Sequence, residues 1–126
     1  YERTSSVIPW DQLGFIQATW DDHDFGQNDG GSDFVGQSIS RRLFWQFFGP
    51  RMDVQEASPH GVYNSAIRQI EGHQIQFIAL DTRSFRGQLK PTLLRNTPGA
   101  ERYVPNADAS QSMLGEAQWI WLNDQL

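Results

Sequence analysis

Four aspartates, one histidine and one asparagine fall within nine residues, Asp21-Asp22-His23-Asp24-Phe25-Gly26-Gln27-Asn28-Asp29. Carboxylate and amide oxygens beside an imidazole suit a hard or borderline cation such as Ca, Mg, Mn or Fe. His23 adds a group that transfers protons near neutral pH. A plainer reading is an Asx-rich surface turn whose side chains bond their own backbone. Against it, like charges this close repel unless a cation or hydrogen bonds offset them. Asp21 and Asp22 also follow directly on an apolar run, where bare carboxylates are costly to bury.

Spacing excludes a calcium-binding EF-hand. That loop needs Gly at its sixth position and Glu at its twelfth. Counted from Asp22 those positions are Gln27 and Asp33; counted from Asp24 they are Asp29 and Val35.

The elements that must position this cluster can be read from the surrounding pattern. Residues 1–13 are mixed and read as a loop or the end of an element. Gly14 to Trp20 is short and mostly apolar and predicts a buried strand, with the thirteen residues Asp21 to Asp33 following as a long loop. Open α/β sheets place ligand sites at the carboxyl ends of strands, which is where this loop starts. Ser32 or Asp33 is expected to cap a helix carrying Phe34, Val35, Ile39, Leu43, Phe44, Phe47 and Phe48, with Gly49-Pro50 ending it. After a loop at 51–60, Gly61 to Ile70 and His73 to Asp81 read as two strands joined by the turn Glu71-Gly72. Residues 82–112 have no clear period and predict a long loop, a feature that is usually functional. A last helix starts near Leu114 or Gly115, with Ala117, Ile120, Trp121 and Gln125 on one side and Leu122 and Leu126 extending the stripe.

Composition narrows the classes. The chain has 126 residues, enough for one domain, and 38% hydrophobic content with five Trp and eight Phe. That mix suits a piece of a larger α/β protein, as do an opening on Tyr1 and an ending inside an amphipathic run; the expectation is a single partial domain over residues 1–126. The net charge of −5 and the absence of a basic stripe argue against duplex nucleic acid as a partner. No apolar stretch reaches the roughly 18 residues of a membrane span. With no cysteine, disulfides and Cys-based zinc sites are excluded.

The block from Ala18 to Gly31, Ala-Thr-Trp-Asp-Asp-His-Asp-Phe-Gly-Gln-Asn-Asp-Gly-Gly, resembles the signature of PhoD-like alkaline phosphatases almost residue for residue. Further blocks fall in that family's order: Phe47-Phe48-Gly49-Pro50, Gly61-Val62-Tyr63, Leu80-Asp81-Thr82-Arg83, and Leu114-Gly115-Glu116-Ala117-Gln118-Trp119-Ile120-Trp121-Leu122. The last two are less specific, being similar to calcineurin-like metallophosphoesterases in general. The resemblance implies part of a β-sandwich flanked by helices, running strand, metal loop, helix, β-hairpin, long loop, helix. It implies a phosphoric ester hydrolase with a binuclear metal centre, iron with calcium, a small phosphate-ester substrate, and a periplasmic or secreted setting.

Carried over by position, Asp21 and Asn28 would supply oxygens to the metals, with Asp22 a ligand or a support for one. His23 would face the substrate phosphate and assist the leaving group, and Asp24 would orient His23. The family's bridging Asp, its upstream Cys and Tyr and its downstream His blocks have no match here, so two metals could not be held by this chain alone. His60 and His73 read as surface residues. Asp81 and Arg83 read as an ion pair or loop anchor, with phosphate contact by Arg83 the lesser reading; Gln118, Trp119 and Trp121 read as helix–sheet packing. The rivals are another calcineurin-like phosphodiesterase, and a non-enzymatic calcium- or carbohydrate-binding module.

Overall fold

A computed structural model describes residues 7–52, 58 and 60–126. The expectations for residues 1–6 and for most of the 51–60 loop lie outside these described residues. The rest is mixed α/β, with three α-helices and two small antiparallel sheets. Helices α1 (Asp22–Phe25) and α2 (Gln37–Phe48) come first; strands β1 (Asn64–Ile70), β2 (His73–Ala79), β3 (Lys90–Pro91) and β4 (Tyr103–Val104) follow, and α3 (Gly115–Gln125) comes last.

The hairpin forms about the turn its sequence predicts, but its strands begin at Asn64 rather than Gly61 and end at Ala79 rather than Asp81. Glu71 and Gly72 both take positive φ, 50° and 82°, the mirror-image turn whose twist matches that of paired strands. It sets the register from Ile70 opposite His73 to Asn64 opposite Ala79. β2 is exposed at its start and half-buried at its end, and the chain then runs into fully buried Asp81.

Residues 14–20 are not a strand, contrary to the sequence expectation. They lie beside the hairpin but are tied to it by side chains. Gln17 Nε2 donates to Phe77 O (3.2 Å), Asn64 Nδ2 to Ala18 O (2.9 Å), and Thr19 Oγ1 to Leu80 O (2.7 Å). Trp20 alone of the run is fully buried and residues 15–18 are half-buried, and a partly covered segment without a ladder partner gives the same apolar pattern as a strand.

Helix α2 begins at Gln37 with Gly36 as its cap, later than Ser32 or Asp33 would have set it. The backbone before it is already committed: the Ser32 N–H bonds Arg86 O (2.9 Å) and the Phe34 N–H bonds Gly31 O (2.9 Å). Val35 is exposed and leaves the expected stripe, as do Ile39 and Leu43; Phe44 alone of the helix is fully buried. It joins Trp20, Phe25 and Val62 in the core, with Ala18, Phe34, Trp45 and Phe48 packed against them. The Trp20 ring lies 5.1 Å from Phe25 and 5.5 Å from Phe44, both edge-on, an arrangement that adds to area burial. Gly49-Pro50 ends the α-helix, and one 3-10 turn carries the chain on to Arg51.

The inward face of α3 is rotated from the expected stripe. Leu114 and Gln118 are buried and Trp121, Leu122 and Gln125 half-buried, while Ala117, Trp119 and Ile120 are exposed. Gln118 causes the rotation: its Oε1 accepts the Asp81 N–H and its Nε2 donates to Asp81 O, both at 2.8 Å. Trp121 packs on Tyr63 at 4.7 Å as expected, and Trp119 does not pack inward. Within the long 82–112 segment, Lys90 and Pro91 pair with Val104 and Tyr103, a short ladder that the sequence did not announce.

The Asp81 carboxylate accepts five hydrogen bonds: from Trp20 Nε1 (2.8 Å), the backbone N–H groups of Val62 (2.9 Å), Arg83 (3.0 Å) and Ser84 (2.9 Å), and Ser84 Oγ (2.6 Å). Its partners come from four separate stretches once Gln118 on its backbone is included. Of the two readings of Asp81 and Arg83, the loop anchor is the one observed, because Arg83 gives Asp81 only its backbone N–H. Truncation to Ala would strand several buried donors, each worth about 1–3 kcal/mol. Asp81→Ala is therefore expected to lower unfolding stability by about 3–5 kcal/mol in urea denaturation followed by Trp fluorescence. A loss below about 1 kcal/mol would remove Asp81 from this role.

Candidate functional site

The acidic segment is not wholly loop. Asp21 to Gly26 make one helical turn, with Asp21 extended at the N-cap position and Gly26 at φ 120° closing the other end. Asp24 Oδ2 accepts the Asp21 N–H at 3.3 Å. Carboxylates in a first turn suit the partial positive charge of exposed N–H groups there, so a sequence crowded with Asp still forms the turn. Trp20 and Phe25, buried on either side, seat it on the core.

Beyond Gly26 the chain doubles back on Asp22. Asp22 Oδ2 accepts the Asp29 N–H (3.1 Å) and Oδ1 the His23 N–H (2.9 Å). The Asp29 hydrogen bond, followed by the nearby His23 charge, holds the Asp22 carboxyl below its ordinary range. Asp29 sits at φ 54°, a left-handed conformation that Asp tolerates better than most residues. The return also depends on Gly31: a Cβ there would come 2.5 Å from Arg86 O, so only glycine lets the two backbones lie this close.

The exposed His23 ring lies over this loop. Its Nε2 is 3.2 Å from Asn28 Oδ1 and 3.9 Å from Asp22 Oδ1. The side chain is 79% exposed. Asp24, expected to orient it, is instead bonded to the Asp21 backbone.

Asp21 points elsewhere, forming a hydrogen-bonded ion pair with the Arg83 guanidinium. Asp29 Oδ2 receives Tyr103 Oη (2.7 Å), Arg102 Nη2 (2.9 Å) and Asn28 Nδ2 (3.0 Å). Arg86, largely buried, donates Nη2 to the carbonyls of Asp29 and Gly30. Burial, and then the proximity of Arg83, lower the Arg86 pKa.

Of the residues singled out by sequence, His23, Asn28 and Asp22 are thus brought together, and Asp21 is drawn off to Arg83. Among the described residues no three His, Asp or Glu side chains group closely enough to hold a metal ion. Asp21, Asp22, Asp24, Asn28 and Asp29 each have an oxygen committed to an arginine, an N–H group or His23, so this donor set does not by itself fit a two-metal centre. His60 and His73 are exposed, as expected.

Sequence reading missed Arg86, Arg102 and Tyr103. A signal for the two arginines existed: five of the ten basic residues, Arg83, Arg86, Lys90, Arg95 and Arg102, lie within the long 82–112 segment of an acidic chain. A polar cleft of about 180 Å³ opens beside the loop, with Asn28, Asp29, Arg95 and Tyr103 in its wall. Among the described residues no helix is long and apolar enough to cross a membrane. Compared with models of protein families, with curated proteins and with solved structures, the chain matches none.

The Tyr103–Asp29 contact has a pH signature. Donation to Asp29 raises the Tyr103 pKa above the ordinary 10.0, because an ionised phenol could no longer donate and would face a carboxylate. The contribution to stability is full below pH 10.0 and is lost as pH rises through the higher folded value. Tyrosinate absorbance of the native chain minus that of Tyr103→Phe should show a midpoint above 10.0, returning toward it in Asp29→Asn. A native midpoint at or below the ordinary value would contradict the contact.

Proposed function

We propose that this chain is one section of a phosphoric ester hydrolase of the PhoD-like kind, in which His23 supplies the proton taken up by the leaving group. The reading is supported by the block from Ala18 to Gly31, and the observation that carries it is the presentation of His23. A proton-transferring ring is set on a helical turn, open to solvent, and held between the Asn28 amide and the Asp22 carboxylate. An alkoxide leaves a phosphate ester only with a proton, and a His within reach can give it.

The larger frame proposed is a metallophosphatase-type β-sandwich flanked by helices, periplasmic or secreted, with small phosphate esters as substrates. Its binuclear centre, iron with calcium, would activate the attacking hydroxide and clamp the phosphoryl oxygens. Most of its ligands would lie outside this chain, to which Asp21 and Asn28, with Asp22 beside them, would add oxygens. Asp21 would first have to part from Arg83. No step of the reaction is assigned to these oxygens.

Three outcomes are expected. The 126-residue chain alone should not hydrolyse p-nitrophenyl phosphate or its bis-ester, even with iron and calcium added; metal-dependent turnover would show that the ligand set is wrongly drawn. In the complete enzyme, His23→Ala should keep metal content and lower kcat by roughly 10²–10⁴ on alkyl esters, and less on nitrophenyl esters, whose leaving group needs no proton. An unchanged rate on alkyl esters would end the assignment. Asp21→Ala should lower metal content and activity together, whereas unchanged metal content would leave Asp21 only its pairing with Arg83. A calcium- or carbohydrate-binding module would have no turnover for either change to affect.

A further inference from the structure

The hydrogen bonds that join Tyr103 to His23 have a forced direction. Tyr103 Oη and Arg102 Nη2 converge on Asp29 Oδ2, as does Asn28 Nδ2. A carboxylate only accepts, so the amide of Asn28 must turn its nitrogen toward Asp29. Its oxygen then faces His23 Nε2, 3.2 Å away. An amide oxygen also only accepts, so the hydrogen must reside on Nε2 of His23. The neutral ring then carries its lone pair on Nδ1.

We infer that Asp29 is a positioning residue: by fixing which way the Asn28 amide faces, it sets the tautomer of His23. A group bonded to the other ring nitrogen of a catalytic or metal-bound histidine commonly does this; here the control passes through an intervening amide. Asp29 is suited to the task by its own restraint. Its N–H is held by Asp22 Oδ2 (3.1 Å), its carbonyl by Arg86 and its carboxylate by Tyr103 and Arg102. Its left-handed backbone at φ 54° is a conformation Asn also adopts readily, so the charge can be removed with the shape kept.

The value of this arrangement for catalysis rests on the proton-transfer role proposed for His23, and on the Asn28 oxygen facing that ring rather than a metal. The tautomer itself does not depend on that role, and it is read without turnover.

The test is ¹⁵N spectroscopy of the imidazole nitrogens in the full chain labelled at histidine, followed toward alkaline pH until the signals stop changing. In the native chain the His23 signals should be those of a ring protonated at Nε2 alone. Asp29→Asn lets the Asn28 amide face either way, and the share protonated at Nδ1 should rise several-fold. Adding Asn28→Asp to Asp29→Asn places an acceptor-only group before Nε2 and should restore the native spectrum. That rescue separates control of the amide from a general loosening of the loop. Asn28→Ala, at an exposed position, should relax the ring to the mixture of a free imidazole and gives the same information if Asp29→Asn does not fold.

A native ring protonated at Nδ1, a tautomer indifferent to Asp29→Asn or Asn28→Ala, or a double variant that stays mixed would each overturn the inference. If the spectra behave as expected while His23→Ala leaves turnover of alkyl esters unchanged, the positioning stands and the proposed function falls.

Discussion

A single buried carboxylate organises this chain. Asp81 sits where β2 runs out, and the groups it binds come from the segment leading to the acidic turn, the entry to β1, the loop after β2 and helix α3. Through it these stretches, far apart in sequence, are bonded to one point at the end of the hairpin. Trp20 illustrates the dependence. Its ring fills the core against Phe25 and Phe44 while its Nε1 hydrogen needs a partner there, and the helical turn bearing Asp22 and His23 begins two residues later. A buried polar group is costly unless fully satisfied, and fully satisfied it specifies one arrangement.

The second constraint is charge. The acidic loop is held together because arginines reach it from far along the chain: Arg83 to Asp21, Arg102 to Asp29, and Arg86 to the carbonyls of Asp29 and Gly30. This answers the repulsion expected among clustered carboxylates without requiring an ion. It also opposes one, because a cation taking Asp21 as a ligand would compete with an arginine already in place. The same arginines anchor the loop beside His23 at Asp21, Asp29 and Gly30.

What the sequence made legible follows from how local each determinant is. The hairpin was readable because Glu71-Gly72 encodes its own turn, and the end of α2 because Gly49-Pro50 punctuates it. The start of α2 was not, since Ser32 is a good cap by type but its backbone is already bonded to Arg86, fifty-four residues on in the sequence. Gln118 was correctly read as structural, yet its bond to Asp81 turned α3 so that Ile120, apolar by type, faces out. The apolar run at 14–20 was misread as a paired strand, and of its residues Trp20 alone is fully buried. In the site, Asp22, His23 and Asn28 were visible as neighbours in sequence. Tyr103 and Arg102 were hidden because the contact that brings them in spans a segment without periodicity.

The separation between Asp29 and Tyr103 is 74 residues, and this bears on when the loop takes shape. Closing so long a segment costs chain entropy before any contact offsets it, and contacts of high sequence separation slow folding. The hairpin can zip from its own turn as soon as it is made. The acidic turn must wait, its carboxylates unbalanced, until the arginines and the tyrosine have been synthesised and docked. During synthesis, the residues with the most chemistry are made before the groups that order them.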